Sequence, residues 1–135
     1  PAIRRAERGG GMKRTPLRKS FAYALSGLWR AIRHERNLKI HLAVTVAVSA
    51  LAAWLRVGPR DWAILLLTIA LVISAELFNT SLEAVVDIIT PDYHELAKAA
   101  KDIAAAAVFV TVIAAVIIGL LILGPPLYER LAPQV

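Results

Sequence analysis

The chain has 135 residues, 58% of them apolar, and 16 Lys plus Arg against 10 Asp plus Glu give a net charge of +6. At a mean hydropathy of +0.61, one domain of this length carries more apolar surface than a water-soluble globule can hide, and far too much for a disordered chain. With no Cys, a disulfide scaffold, thiol chemistry and Cys-ligated metals are excluded, and basic residues that lead straight into apolar runs suit an anionic bilayer surface better than nucleic acid.

Residues 1–14 read as a disordered basic tail, with Arg4, Arg5, Arg8, a run Gly9-Gly10-Gly11 and the only Met at position 12. A signal peptide is not expected, because the first long apolar run begins far in, at Leu38. Over 17–35, Leu17, Phe21, Ala24, Leu25, Leu28 and Ile32 recur at helical spacing, while Arg18, Lys19, Arg30, Arg33 and His34 cover the rest. This pattern predicts an amphipathic helix lying in the membrane interface.

Three spans follow, at about 38–55, 62–89 and 101–123, each near or above the roughly 20 residues that cross a bilayer. Arg56 to Arg60 forms a short turn, Thr90-Pro91-Asp92 breaks the second helix, and Gly124-Pro125-Pro126 is expected to end the third, leaving 125–135 as a tail. Trp54, Trp62 and Tyr128 stand at span ends, where amphipathic rings prefer to lie. The fold class is therefore an all-α membrane protein, three transmembrane helices preceded by an interfacial one. Eleven of the 16 basic residues lie at or before Lys39, which places the N-terminus and the 87–102 linker in the cytoplasm and the tail outside. In the third span Ala100, Ala104, Ala107, Thr111, Ala114 or Ala115, and Gly119 line one side, which lets membrane helices approach closely.

Six of the ten acidic residues fall between Glu76 and Asp102. Glu76 lies inside the second span, where an ionisable group costs about 2.5–3.5 kcal/mol on insertion scales. Asn79 and Thr80 follow at i+3 and i+4, Glu83 at i+7 and Asp87 at i+11, so one helix face carries a polar stripe from bilayer to cytoplasm. Such a stripe is either a seam that joins helices or a site for a substrate with an oily body and a polar head. Carboxylates without Cys suit a hard cation such as Mg²⁺, and Glu35 and Glu83 both lie at the expected cytoplasmic boundary, where they could share one ion. Lys101 and Asp102 are expected at the start of the third helix, where a Lys charge and free amides suit phosphate. The plainer alternatives are a Glu35–Lys39 pair at i+4, an Asp102 that only favours a helix start, and a solvated His94. No Walker-type glycine loop or protein-kinase signature is present.

The stretch Glu76-Leu77-Phe78-Asn79-Thr80-Ser81-Leu82-Glu83-Ala84-Val85-Val86-Asp87 resembles the E-x-x-N-[TS]-x-[IL]-E-x-x-V-D signature of the prokaryotic diacylglycerol kinase family. Tyr93-His94 before Ala100-Lys101-Asp102 resembles its second signature, and Glu35-Arg36-Asn37-Leu38-Lys39-Ile40-His41 resembles the entry to its first spanning helix. The resemblance runs from Leu17 to about Leu123, with the three motifs in the family's order. It implies a homotrimeric integral-membrane kinase of the bacterial inner membrane, with its active site on the cytoplasmic side. Such an enzyme moves the γ-phosphoryl of MgATP to the hydroxyl of a membrane lipid.

Carried over, the resemblance makes Glu76 the catalytic base, with Asn79 orienting the site, and makes Glu35 and Glu83 ligands of Mg²⁺ that also meet ATP. Lys101 and Asp102 would meet the nucleotide phosphates, with Tyr23, Asp92, Tyr93 and His94 lining the nucleotide site. The lipid alcohol would approach along Trp29, Arg30, Ala31 and Ile32, along Asn37, Leu38, Lys39, Ile40 and His41, and past Glu76 and Ala105. Some members carry an Arg near the position of Pro16; here Arg18 or Lys19 would supply that charge. The Glu35-Arg36-Asn37-Leu38-Lys39-Ile40-His41 and Pro91-Asp92-Tyr93-His94 forms look more like the branch that phosphorylates undecaprenol than the one that phosphorylates diacylglycerol. A non-enzymatic membrane assembly module would use the small-residue stripe and basic helix equally well, but leaves Glu76 unexplained.

Overall fold

The computed structural model describes residues 16–132, so the basic tail expected at 1–14 lies wholly outside the described residues. Four helices follow in order: α1 (Leu17–His34), α2 (Arg36–Leu55), α3 (Pro59–Ile89) and α4 (Glu95–Leu131). The last three are each long and apolar enough to cross a membrane. At 1.5 Å per residue, α2 spans ~30 Å, the thickness of the hydrocarbon core, while α3 and α4 reach ~46 and ~55 Å and so project beyond it.

Local chemistry explains the boundaries. Arg33 and His34 in the last turn of α1 complement its dipole, and Glu35 in extended conformation (φ −89°, ψ 119°) turns the chain directly into α2. α2 ends at Arg56 in the left-handed region (φ 56°, ψ 43°). α3 starts with Pro59 in its first turn after Gly58, with Asp61 beside the positive end of the dipole. Arg56 is the only non-Gly residue with positive φ among the described residues, and an L side chain there carries a steric cost of about 1–2 kcal/mol. Arg56→Gly should therefore raise the thermal unfolding midpoint in detergent, by a stabilisation of roughly 1 kcal/mol. An unchanged or lowered midpoint would show that the Arg side chain offsets the strain.

The packed core sits at the α2–α3 turn. Ala52, Leu55, Leu65 and Leu123 are buried together, with Trp62 and Leu127 against them. Above it the helices are joined mainly along α3 and α4. Spanning-segment hydroxyls bond back to their own helix, Thr45 to the His41 carbonyl at 2.8 Å and Thr111 to the Val108 carbonyl at 2.7 Å, as a medium without water requires. Large apolar side chains elsewhere face outward, among them Phe78, Phe109, Leu120 and Leu121, which suits hydrocarbon or another membrane helix. The apolar face of α1 is uncovered too: Leu17, Phe21 and Leu25 are exposed and only Ala31 is buried.

α4 departs from the sequence reading at both ends. Gly124-Pro125-Pro126 does not end it; the helix continues to Leu131. The two prolines remove the amides that would bond the Leu121 and Ile122 carbonyls and crowd those carbonyls with their rings, but the φ their rings fix is compatible with a helix. Packing carries the chain through: Leu127 joins the core and the Arg130 guanidinium lies 4.6 Å from the centre of the Trp54 ring. At the other end α4 begins at Glu95, not near Lys101. His94 caps it, Nδ1 accepting from the Leu96 amide at 3.2 Å. Lys101 and Asp102 consequently lie about two turns inside the helix, where no free amides are available to a phosphate.

Candidate active site

The end of α3 opposite the apolar core carries the polar residues. Glu76 is buried, 2% exposed, and Asn79 one turn on is 8% exposed. The groups that face Glu76 are Asn37 and His41 of α2, Glu83 of α3 and Glu35 between α1 and α2. Two turns of α3, the α1–α2 corner and the first turns of α2 therefore meet around one buried carboxyl group. The corner is held there by Leu38, which is fully enclosed.

Asn79 donates from Nδ2 to Glu83 Oε1 at 2.8 Å, the i,i+4 contact that one helix face permits. Its Oδ1 is buried and has no partner. An orphaned buried oxygen costs about 1–3 kcal/mol, so a donor from outside the described residues is wanted here. Glu35 is half-buried and, like Glu83, is in none of the ion pairs found among the described residues. Three carboxylates converge with no Lys or Arg paired to them, an arrangement that repels itself until a cation or a proton enters. No group of three His, Cys, Asp or Glu among the described residues could hold a metal ion. A site shared with phosphate and water oxygens needs only one or two carboxylates for Mg²⁺, and the donors present fit that requirement.

Around this centre the other expected residues are distributed as follows. Lys101 donates to Asp87 Oδ1 at 2.9 Å and also faces Glu83. Asp102 is paired with Lys98 on its own helix. Asp92 and Tyr93 lie exposed in the α3–α4 turn, and Tyr23 is exposed on α1. Arg18 and Lys19 are exposed in the first turn of α1. Trp29 is exposed on α1 with the Arg33 guanidinium 5.0 Å from its ring centre, and Arg30 is exposed beside it. Ala31 is buried, Ile32 half-buried, and Asn37, Lys39, Ile40 and Ala105 are exposed.

The sequence reading missed the facing of His41 and Glu76 and the contacts that tie Lys98 and Asp87 to the phosphate-binding candidates. The i,i+4 spacing of Lys98 and Asp102 was the available signal for one of these; nothing in the sequence pairs Asp87 with Lys101 across 14 positions. An apolar cleft of about 320 Å³ opens between α2, α3 and α4, running from His41, Val72 and Ile73 to Leu123 and Leu127.

The prokaryotic diacylglycerol kinase family matches residues 22–123. The undecaprenol kinase of Bacillus subtilis is 45% identical over 109 residues, 81% of this chain and 89% of that protein. The diacylglycerol kinase of Synechocystis sp. is 49% identical over 109 residues, 80% of this chain and 62% of that longer protein. The diacylglycerol kinase of Escherichia coli is 35% identical over 103 residues, 76% of this chain and 84% of its own length.

Proposed function

Because the chain belongs to the prokaryotic diacylglycerol kinase family and is a phosphotransferase with an alcohol acceptor, we propose that it transfers the γ-phosphoryl of MgATP to the hydroxyl of undecaprenol. Diacylglycerol is the second reading, kept by the Synechocystis and E. coli relatives. Undecaprenol is favoured by the B. subtilis relative, which matches over nearly its whole length. Family membership sets aside the non-enzymatic packing module.

The observation that carries the mechanism is the buried Glu76 facing two further carboxylates. Phosphoryl transfer needs positioning, charge compensation and an acceptor for the hydroxyl proton. Glu76, at membrane depth, takes the proton of the lipid hydroxyl, and the deprotonated oxygen attacks the γ-phosphorus as its bond to the β–γ bridging oxygen breaks and ADP leaves. Glu35 and Glu83 would hold Mg²⁺, which supplies charge neutralisation across the phosphates when bound. Asn79 keeps Glu83 in place through its amide, and its unpartnered oxygen is free to accept from the lipid hydroxyl or from metal-bound water. Lys101 and Asp102 serve the nucleotide phosphates, and Tyr23, Asp92, Tyr93 and His94 border the nucleotide. Exposed Arg30, Asn37, Lys39 and Ala105 border the lipid's approach.

The wide exposed apolar surface and the scatter of the nucleotide-site residues over one chain are the support for a homotrimer, in which copies complete one another's sites. A bacterial inner-membrane location follows from the prokaryotic membrane-kinase reading, and the concentration of basic residues before Lys39 supports a cytoplasmic N-terminus and active site. Cysteines placed singly at Pro59 and Thr90 of this Cys-free chain should label from opposite sides; labelling from the same side would overturn the three-span topology.

The acceptor is tested by competition. Purified protein in vesicles holding undecaprenol and diacylglycerol at equal mole fraction, given ATP and Mg²⁺, should place most of the transferred phosphate on undecaprenol. A product mostly of phosphatidic acid would select the second reading.

A further inference from the structure

Asp87 closes the polar stripe of α3 but has no part in the reaction described so far. Its carboxylate accepts from Lys101 Nζ at 2.9 Å, joining α3 to α4 across the α3–α4 turn. The same ammonium faces Glu83, one turn back along the stripe. Lys101 lies two turns inside α4 and has no helix-terminus amides beside it, so whatever it offers a phosphate comes from the ammonium alone. A Lys side chain carries large rotamer freedom and little directional preference; unrestrained, it would spend most of its time in water.

We infer that Asp87 is a positioning residue for the phosphoryl donor: it holds the Lys101 ammonium beside Glu83, over the place where the nucleotide phosphates meet the metal. The inference rests on the lipid-kinase reading above. An ordinary helix-to-helix bridge is the competing explanation. It is weak on its own terms, because the two side chains are 65% and 35% exposed and exposed ion pairs add little stability. Pre-orienting a phosphate-binding charge has a larger consequence, since the ordering cost is then met before the nucleotide arrives.

The experiment measures binding of a non-hydrolysable ATP analogue with Mg²⁺, together with KM for ATP and kcat, on protein reconstituted in lipid vesicles. Asp87→Asn should weaken analogue binding and raise KM for ATP by roughly tenfold, the scale of one charged hydrogen bond, with kcat and assembly changed much less. Asp87→Glu should recover most of the loss. In a Lys101→Ala background Asp87→Asn should add less than twofold, because Asp87 acts through Lys101. The exchanged pair, Asp87→Lys with Lys101→Asp, can rebuild the bridge but not the phosphate contact, so it should stay defective. Native KM in Asp87→Asn, full additivity with Lys101→Ala, or restoration by the exchanged pair would each overturn the inference. A native protein that binds the analogue but phosphorylates no lipid would remove the lipid-kinase reading and leave the role of Asp87 readable from binding alone.

Discussion

Glu76→Gln should lower turnover by roughly 10²–10⁴, the usual worth of general base catalysis, while the protein still assembles and binds MgATP. The amide matches the carboxyl in size and can still hydrogen-bond, so the buried position, 2% exposed, keeps its shape. What it loses is the ability to accept a proton. A polar seam between helices predicts the opposite, since Gln joins helices without the cost of a charge. Steady-state phosphorylation of the lipid acceptor, measured beside cross-linked assembly size and nucleotide binding, separates the two. Near-native rates in an assembled Glu76→Gln protein would take the base assignment away from this residue.

Glu35→Gln and Glu83→Gln should each reduce turnover by roughly a hundredfold or more, and the double variant should fall little further. The two side chains reach the site from different elements, the α1–α2 corner and α3 two turns beyond Glu76, and both face Glu76. On a shared Mg²⁺ the two would act as one unit. Raising Mg²⁺ should recover part of the activity of each single variant. Losses that simply multiply, with no dependence on Mg²⁺, would mean that the two do not share an ion. Loss of assembly in either would assign that residue to packing.

Much of this arrangement was legible in the residues themselves. The 3.6-residue spacing of Leu17, Phe21, Leu25 and Leu28 located α1, and the apolar runs located the three spans, because hydrophobic period and length are local properties. Glu76, Asn79 and Glu83 stood out for a related reason: their spacing forces them onto one face, and the structure does join Asn79 to Glu83. The ends of α4 were not legible. Pro125-Pro126 is a strong local stop signal, and only the seating of Leu127 in the core and of Arg130 over Trp54 overrides it. The start at Glu95 depended on His94 acting as a cap, a role for which His is no preferred residue. The Asp87–Lys101 pair depends on how the chain turns between α3 and α4, which neither periodicity nor spacing encodes. Nor could spacing say that Leu38, read as part of the lipid's path, is fully enclosed, since that follows from how α1 and α2 fold against α3.

The most direct test of the whole account is the fate of the γ-phosphoryl group. Purified protein in vesicles containing undecaprenol, supplied with γ-labelled ATP and Mg²⁺, should move the label into the lipid fraction. Transfer should require both the lipid alcohol and the divalent ion. Label released only as inorganic phosphate, or left on ATP when acceptor and Mg²⁺ are both present, would contradict it.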